Sequence, residues 1–375
     1  MDHIPTNKIK LAVLPGDGIG PEVIEQAVKV LDAVAERYGH FFSYCYGDIG
    51  AIAIDHTGSP LPEETLEACR TASAILMGAI GHPRYDQDPN AKVRPEQGLL
   101  QLRKSLGLFA NIRPVTAYDG LLDLSPLRRE ILAGTDLIIY RELTGGLYFG
   151  EKEEGDRQAS DLCRYTVEEV DRVARLAFEK AGQRRKRLTL VDKANVLATS
   201  RLWRRRIMEL AGDYPDVEVE YLYVDNAAMQ LVLNPSYFDV ILTENLFGDI
   251  LSDEASVLAG SLGMLPSASI GLQTSLFEPV HGSYPQAAGQ DIANPIAAVL
   301  SAGMMLDQLG LQPEAEAVRL AVTRVLRLGV GTPDLKPNIG CSCSQFGDLL
   351  ASAIIEGEEF SPRREKMEAG ASTII

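Results

Sequence analysis

Short apolar runs alternate with longer amphipathic ones along most of this chain, and that alternation confines it to the α/β folds. Residues 8–14 read as a strand, 15–21 as a turn and 22–38 as a helix in which Val23, Ala27, Val30, Leu31 and Val34 share a face. A strand at 41–46, a helix at 62–71 and a strand at 74–77 follow. Further on, the pattern predicts helices at 97–106, 167–182 and 200–211, and strands at 136–140, 188–191, 217–224 and 237–242. A helix opens at 243, a turn is expected over 277–283, and the helices 292–309, 314–328 and 346–355 close the chain before a polar tail. At 375 residues the chain is too long for one ordinary core, so two domains are expected.

The formal net charge of −16 disfavours binding to nucleic acid or to an anionic membrane surface, and an anionic ligand would need a local cluster of arginines. Five cysteines, Cys45, Cys69, Cys163, Cys341 and Cys343, form no zinc-type pair and read as free thiols of a reducing compartment. The polar N-terminus has no signal-peptide core, and the longest apolar stretch, 292–306, is broken by polar residues and too short to span a bilayer. A cytoplasmic location is expected.

The first strand, glycine turn and helix look like a dinucleotide fingerprint, but the spacing is G-x-G-x-G-P (residues 16–21) rather than G-x-G-x-x-G, so the turn is not a Rossmann loop. Chemistry-bearing residues gather elsewhere, at element ends. Arg103, Arg113 and Arg141 are placed to clamp carboxylates bidentately, although a single arginine is ordinarily a surface residue. Lys193 follows a strand beside Asp192, as a surface ion pair or as a base of lowered pKa. Asp225 ends another strand. Asp249 and Asp253 stand four apart on the helix that opens at 243, where two like charges repel unless a hard divalent cation binds between them. A solvated acidic face is the other reading of that pair.

Six ordered motifs, L-P-G-D-G-I-G-P-E (14–22), L-R-K-S-L-G-L-F-A-N-I-R-P (102–114), R-E-L-T-G-G-L-Y-F-G (141–150), D-K-A-N-V-L (192–197), T-E-N-L-F-G-D-I-L-S-D (243–253) and E-P-V-H-G-S (278–283), resemble those of the isocitrate/isopropylmalate dehydrogenase family of β-decarboxylating dehydrogenases. The resemblance runs from Lys8 to about Ser352. It implies an isopropylmalate dehydrogenase-like two-domain α/β fold with a mixed sheet, not a classical Rossmann fold. One domain would take residues 1–108 and 261–375, the other 109–260, with the active site in a cleft that closes to expel water. It further implies that Asp249 and Asp253 bind Mg²⁺ or Mn²⁺, and that Asp225 and Lys193 cross to complete the site of a partner in a homodimer. Arg103, Arg113 and Arg141 would hold the substrate carboxylates. Lys193 would accept the hydroxyl proton, its pKa depressed by cationic neighbours, and Tyr148 would protonate the enol left when CO₂ departs. Glu278, His281, Gly282, Ser283, Gln286 and Asn294, with Ile19, Ala79 and Ile80 nearby, would bind NAD.

Glu96, Leu99 and Leu100 match the positions that face the substrate's variable group. Two leucines suit the branched hydrocarbon of 3-isopropylmalate, and Glu96 would repel a third carboxylate such as isocitrate carries. The implied reaction is oxidative decarboxylation to 4-methyl-2-oxopentanoate in leucine biosynthesis. Another 3-substituted malate, tartrate or isocitrate is the alternative substrate, and a catalytically silent subunit the alternative class. The segment departs from the family where Gln286 stands in place of an aspartate that bonds the adenosine ribose, which weakens discrimination against a 2′-phosphate. His82, in Gly81-His82-Pro83, replaces a frequent glycine, and no function attaches to it.

Overall fold

The computed structural model describes residues 8–87 and 92–360, so the N-terminal heptapeptide, part of the polar loop at 83–95 and most of the polar tail lie outside the described residues. The chain divides into two units. The first runs to Leu106 and resumes over Ser261–Ala268 and from Leu272 on; the second takes Gly107–Gly260 with Ser269–Gly271.

The first unit begins with β1 (Lys8–Gly16), α1 (Gly20–Tyr38), β2 (Phe41–Tyr46), α2 (Ala51–Thr57), α3 (Glu63–Arg70), β3 (Ala74–Ala79), α4 (Pro83–Asp86) and α5 (Pro95–Leu106). The second holds β4 (Ala110–Thr116), α6 (Arg129–Leu132), β5 (Asp136–Glu142), β6 (Lys152–Glu154), β7 (Ala159–Asp161), α7 (Val167–Gln183), β8 (Arg187–Asp192), α8 (Ala198–Leu210), β9 (Glu218–Tyr223), α9 (Val224–Leu233), β10 (Val240–Thr243) and α10 (Asn245–Ser256). β11 (Pro266–Ile270) divides its residues between the units. The first unit then resumes with β12 (Leu276–Pro279), α11 (Ile296–Gln308), α12 (Gln312–Arg327), β13 (Val330–Gly331), β14 (Ile339–Gly340) and α13 (Cys343–Glu356).

In the first unit β1 lies between β2 and β3, and β12 pairs with β3, all in parallel. Leu11, Ala12, Val13 and Leu14 are wholly buried, the continuous apolar run of a parallel strand covered on both faces. The register sets Gly16 against Ala79, so the turns after β1 and β3 emerge at the same edge. Helix α1 ends where Gly39 turns left-handed, and a Ser342–Gln345 capping box opens α13.

The second unit orders its strands β4-β5-β10-β8-β9. β4 runs antiparallel to β5 and the rest are parallel, which makes the sheet mixed as expected. Helix α7, opened by a Thr166–Glu169 capping box, packs Val170, Val173, Ala174, Ala177, Phe178 and Ala181 inward at helical spacing. Strand β9, outermost in this sheet, carries Glu218 and Glu220.

The structure departs from the sequence reading at several elements. Residues 276–279 form a strand, not a turn, because their backbone pairs with β3. The strand expected to reach 224 stops at Tyr223, and helix α9 begins at once, so Asp225 stands in a helix's first turn. Helix α2 was not expected, and helix α4 takes the start of the stretch read as a polar loop over 83–95. Among the described residues no helix is long and apolar enough to cross a membrane.

Candidate active site

In the second unit the parallel register aligns Arg141, Thr243 and Val191 at the carboxyl ends of β5, β10 and β8. Ligand-binding loops of open α/β sheets leave from such ends. Asn111 of β4 pairs with Arg141, and Arg113 lies two residues on, so all three share one face of the sheet.

Helix α10 crosses that face. Arg141 is buried; its Nε and Nη2 donate to Asn245 Oδ1 at 3.1 and 2.8 Å, and its Nη1 donates to Asp249. A Cβ on Gly248 would lie 2.6 Å from Arg141 Cγ, so glycine is what lets helix and guanidinium stem approach. Arg113 donates through Nε to Asn111 Oδ1 at 2.9 Å and through Nη1 to Ser252 Oγ at 2.7 Å and Asp253 Oδ1 at 3.1 Å. Asp249 and Asp253 therefore stand on one helical face as expected, each beside an arginine.

Tyr148 joins this group. Its hydroxyl donates to Asp249 Oδ2 at 2.7 Å, and the Arg141 guanidinium lies 5.8 Å from its ring centre. Partial burial raises the phenol above its ordinary pKa, the bond to Asp249 adds to the rise, and Arg141 opposes it. The loop that carries Tyr148 is fixed by Glu142, a residue the sequence reading missed. Its buried carboxylate accepts from Thr144 N at 2.9 Å, Thr144 Oγ1 at 2.6 Å and Gly145 N at 2.7 Å.

Lys193 and Asp225 form a second constellation. Lys193 Nζ donates to Asp225 Oδ1 at 2.8 Å and stands 6.0 Å from the Tyr223 ring centre. The direct charged partner of this amine is thus an anion rather than the cationic neighbours expected, although Arg204 stacks on the same tyrosine at 5.2 Å. The lysine bond is the leading reason that Asp225 is held below the usual carboxylate range. Among the described residues no group of three or more His, Cys, Asp or Glu is poised around one metal position. Within one chain, then, Asp249 and Asp253 are together and Asp225 pairs with Lys193.

The remaining expected residues lie in the first unit. On α5 the core face is Pro95, Gly98 and Leu102, whereas Glu96 and Leu100 are exposed and Leu99 half-buried. Spacing puts 96, 99, 100 and 103 on a common side of that helix. Arg103 Nη2 donates to Glu278 Oε1 at 2.8 Å at the end of β12, while its Nε is buried without a hydrogen-bond partner. The glycine turn after β1 packs against the 281–283 segment: Gly18 has φ +61°, and a Cβ there would lie 2.0 Å from Ser283 O. Ile19 N donates to Ser283 O at 2.8 Å, and Asp17 N to Ala79 O at 2.7 Å. Ile19, Ala79, Ile80, Gly282 and Ser283 thus gather at one strand edge.

Asp17, buried and also missed by the sequence reading, ties that edge together by accepting from Ala51 N, Ile52 N and Gly81 N at 2.8–2.9 Å. His281 Nδ1 meets Gly282 O at 2.9 Å; its Nε2 is buried without a partner, and burial holds its pKa below the usual value. Gln286 is exposed. Asn294 is engaged within the fold: its Oδ1 accepts from Ile296 N at 3.0 Å and its Nδ2 donates to Asp334 at 3.0 Å.

Residues 10–350 match the family described as isocitrate/isopropylmalate dehydrogenase. The chain belongs to that family. Similar proteins include the 3-isopropylmalate dehydrogenase of Bacteroides fragilis, 53% identical over 92% of this chain and 97% of that one. The enzyme of the same name from Bacillus licheniformis is 56% identical over 94% of this chain and 98% of its own. Among solved structures, isocitrate dehydrogenase from Methylococcus capsulatus superposes with a TM-score of 0.81 at 35% identity, covering 92% of this chain and 99% of that one. The isocitrate/isopropylmalate dehydrogenase family therefore accounts for the large mixed sheet, and the arginine–aspartate–tyrosine constellation lies within its matched span.

Proposed function

We propose that this chain is an NAD-dependent decarboxylating dehydrogenase that converts 3-isopropylmalate to 4-methyl-2-oxopentanoate and CO₂, a step of leucine biosynthesis in the cytoplasm. The observation that carries the choice of substrate is the outward side of α5. Leu100 is 51% exposed and Leu99 half-buried beside exposed Glu96, so this apolar surface belongs to no core and is free for a branched hydrocarbon. The identity above 50% with proteins named for that activity supports the same choice.

The donor set fits the implied cofactors. Asp249 and Asp253 offer hard oxygens on one helical face, suited to Mg²⁺ or Mn²⁺, with Asp225 of a second copy as a further donor. His281 Nε2 offers an unpaired, buried polar atom to a bound NAD, and Gln286 offers an amide to its ribose. Lewis-acid polarisation of the 2-hydroxyl is the chemistry that such a cation supplies when bound. The chain's own residues do the rest. Arg103, Arg113 and Arg141 bind and orient carboxylates by charge-assisted bonds. Lys193 takes the hydroxyl proton, directly or through water, and a bound NAD would supply the acceptor for the C2 hydride. The bond to the β-carboxylate then breaks as CO₂ leaves, its electron pair forms the C2–C3 enolate, and Tyr148 delivers a proton to C3 to give the ketone.

A homodimer is part of this reading. Met229 and Leu233 on α9 and Ile250 on α10 are exposed apolar side chains of the unit that bears Lys193 and Asp225, a surface suited to a second copy.

The test is nicotinamide absorbance with purified protein, Mg²⁺, NAD or NADP, and 3-isopropylmalate beside isocitrate and tartrate. Metal-dependent NADH formation with isopropylmalate alone is expected. Equal turnover of isocitrate or tartrate overturns the substrate, NADP-only signal overturns the cofactor, and no signal with any pair overturns the enzymatic reading.

A further inference from the structure

We propose that Asn245 is a positioning residue whose single carboxamide sets the spacing between the substrate arginine Arg141 and the proton donor Tyr148. The inference rests on the roles given above to those two residues.

Asn245 opens α10 and is only 1% exposed. The two ends of its side-chain amide face different elements. Oδ1 accepts from Arg141 Nε at 3.1 Å and from Arg141 Nη2 at 2.8 Å. Nδ2 donates to the Gly145 carbonyl at 3.2 Å. Chemistry fixes this orientation. A guanidinium only donates and a carbonyl only accepts, so turning the amide over would set donor against donor and acceptor against acceptor. One end of the amide therefore holds the arginine of β5, and the other holds the loop that follows β5.

That loop delivers Tyr148. Gly145 leads directly into the short helical turn Gly146–Tyr148. The Gly145 residue is gripped on both sides, because its N–H donates to Glu142 Oε2 at 2.7 Å while its carbonyl takes the Asn245 bond. Tyr165 adds a second tie. Its hydroxyl accepts the Asn245 N–H at 3.0 Å, and a Cβ on Gly146 would lie 2.2 Å from that same oxygen. Gly146 has φ +74°, and only a residue without a side chain lets the loop lie so close to the ring. Asn245 thus reaches the loop twice, through its own amide and through the ring that its backbone holds.

Asp249 joins the tips of the same two side chains, whereas Asn245 joins the stem of one to the backbone that carries the other. The Asp249 carboxylate is also offered to a cation, and the Asn245 amide is buried and uncharged. Arg141 sets where the substrate carboxylate lies, and Tyr148 must reach the carbon beside it. Displacing the donor by about 1 Å costs rate steeply, while the arginine keeps its grip on the carboxylate as long as its own acceptor remains.

The two ends of the amide can be tested separately. Asn245→Asp is nearly isosteric; it keeps an acceptor for Arg141 and loses the donor to Gly145 O. Its new charge sits against a buried guanidinium, so the fold should persist. Asn245→Ala loses both ends. The first readout is amide exchange in the full chain without substrate, and Gly145 and Gly146 should exchange about tenfold faster in both variants. In turnover, Asn245→Asp should lower kcat about tenfold with KM within about twofold, whereas Asn245→Ala should lower kcat and raise KM together. In a Tyr148→Phe background, Asn245→Asp should cost less than about twofold in kcat, because the amide acts through the phenol; a merely structural defect would add in full. Wild-type exchange at Gly145 and Gly146 in either variant overturns the proposal, as does a full tenfold loss in the Tyr148→Phe background. Exchange needs no substrate, so a chain inactive on every malate defeats the proposed function and still decides whether Asn245 holds the loop.

Discussion

Tyr148 donates its phenolic hydrogen to Asp249 Oδ2 at 2.7 Å, and Asp249 takes a second bond from Arg141. One carboxylate thus holds both the acid proposed for the last proton transfer and an arginine proposed for substrate binding. Tyr148→Phe should therefore lower kcat by about 10²-fold, the scale of general acid catalysis, while leaving the Arg141–Asp249 pair and hence KM nearly unchanged. Steady-state kinetics with NADH and CO₂ detection decide it; an unaltered kcat removes Tyr148 from the mechanism.

Lys193→Met should abolish hydride transfer. It removes the amine and leaves Asp225 without its leading partner. Fluorescence titration should still detect NADH binding, and a single-turnover experiment should show no NADH burst. A normal burst would move the base elsewhere.

Chelation should stop turnover, and Mg²⁺ or Mn²⁺ should restore it. Asp253 is largely exposed, so Asp253→Asn should fold normally and weaken Mn²⁺ binding by about tenfold or more, measured by calorimetry. Equal affinity in the variant would return the Asp249–Asp253 pair to an ordinary acidic helix face.

Gly248→Ala would press a methyl group into the Arg141 stem, 2.6 Å from Cγ. The arginine is buried and fixed by Asn245, so it cannot swing away without breaking those bonds. A loss of about 1–3 kcal/mol in denaturant unfolding and a raised KM are expected. Unchanged stability together with unchanged KM would show that the helix shifts freely.

Stability should fall as pH rises between 4.5 and about 7, by up to about 3 kcal/mol from Glu244 alone. The sign follows from proton counting. The folded carboxyl keeps its proton to higher pH than the unfolded chain, so within that window the folded state binds more protons and is penalised as they become scarce. Glu244→Gln should flatten this part of the profile and be more stable than wild type above neutrality, read by unfolding midpoints at several pH values.

Much of the fold was legible because parallel strands such as β1 are uninterrupted apolar runs and helices such as α7 keep strict spacing. Helix α9, V-D-N-A-A-M-Q-L-V-L, was not, since it follows a strand without a turn signal and is apolar on most sides. The 276–279 strand was hidden by Pro279 and by Gly282 just beyond; only its partner β3 makes it a strand. In the candidate site, side chains at strand ends were visible as charges out of pattern. The residues that hold the loops around them, Asp17 and Glu142, were not. Asp17 binds backbone amides 34 to 64 residues away, which no local spacing betrays, and the Glu142 bonds to Thr144 and Gly145 read in sequence as an ordinary polar loop.

Strand β9 closes one side of the second unit's sheet with an edge that pairs with no other strand among the described residues, and Glu218 and Glu220 lie along it. Copies adding strand to strand there would stack like charges at the roughly 5 Å spacing of neighbouring strands. The edge therefore resists fibre-like growth. Replacing both glutamates with valine would expose a flat, apolar template and make the edge prone to open-ended assembly.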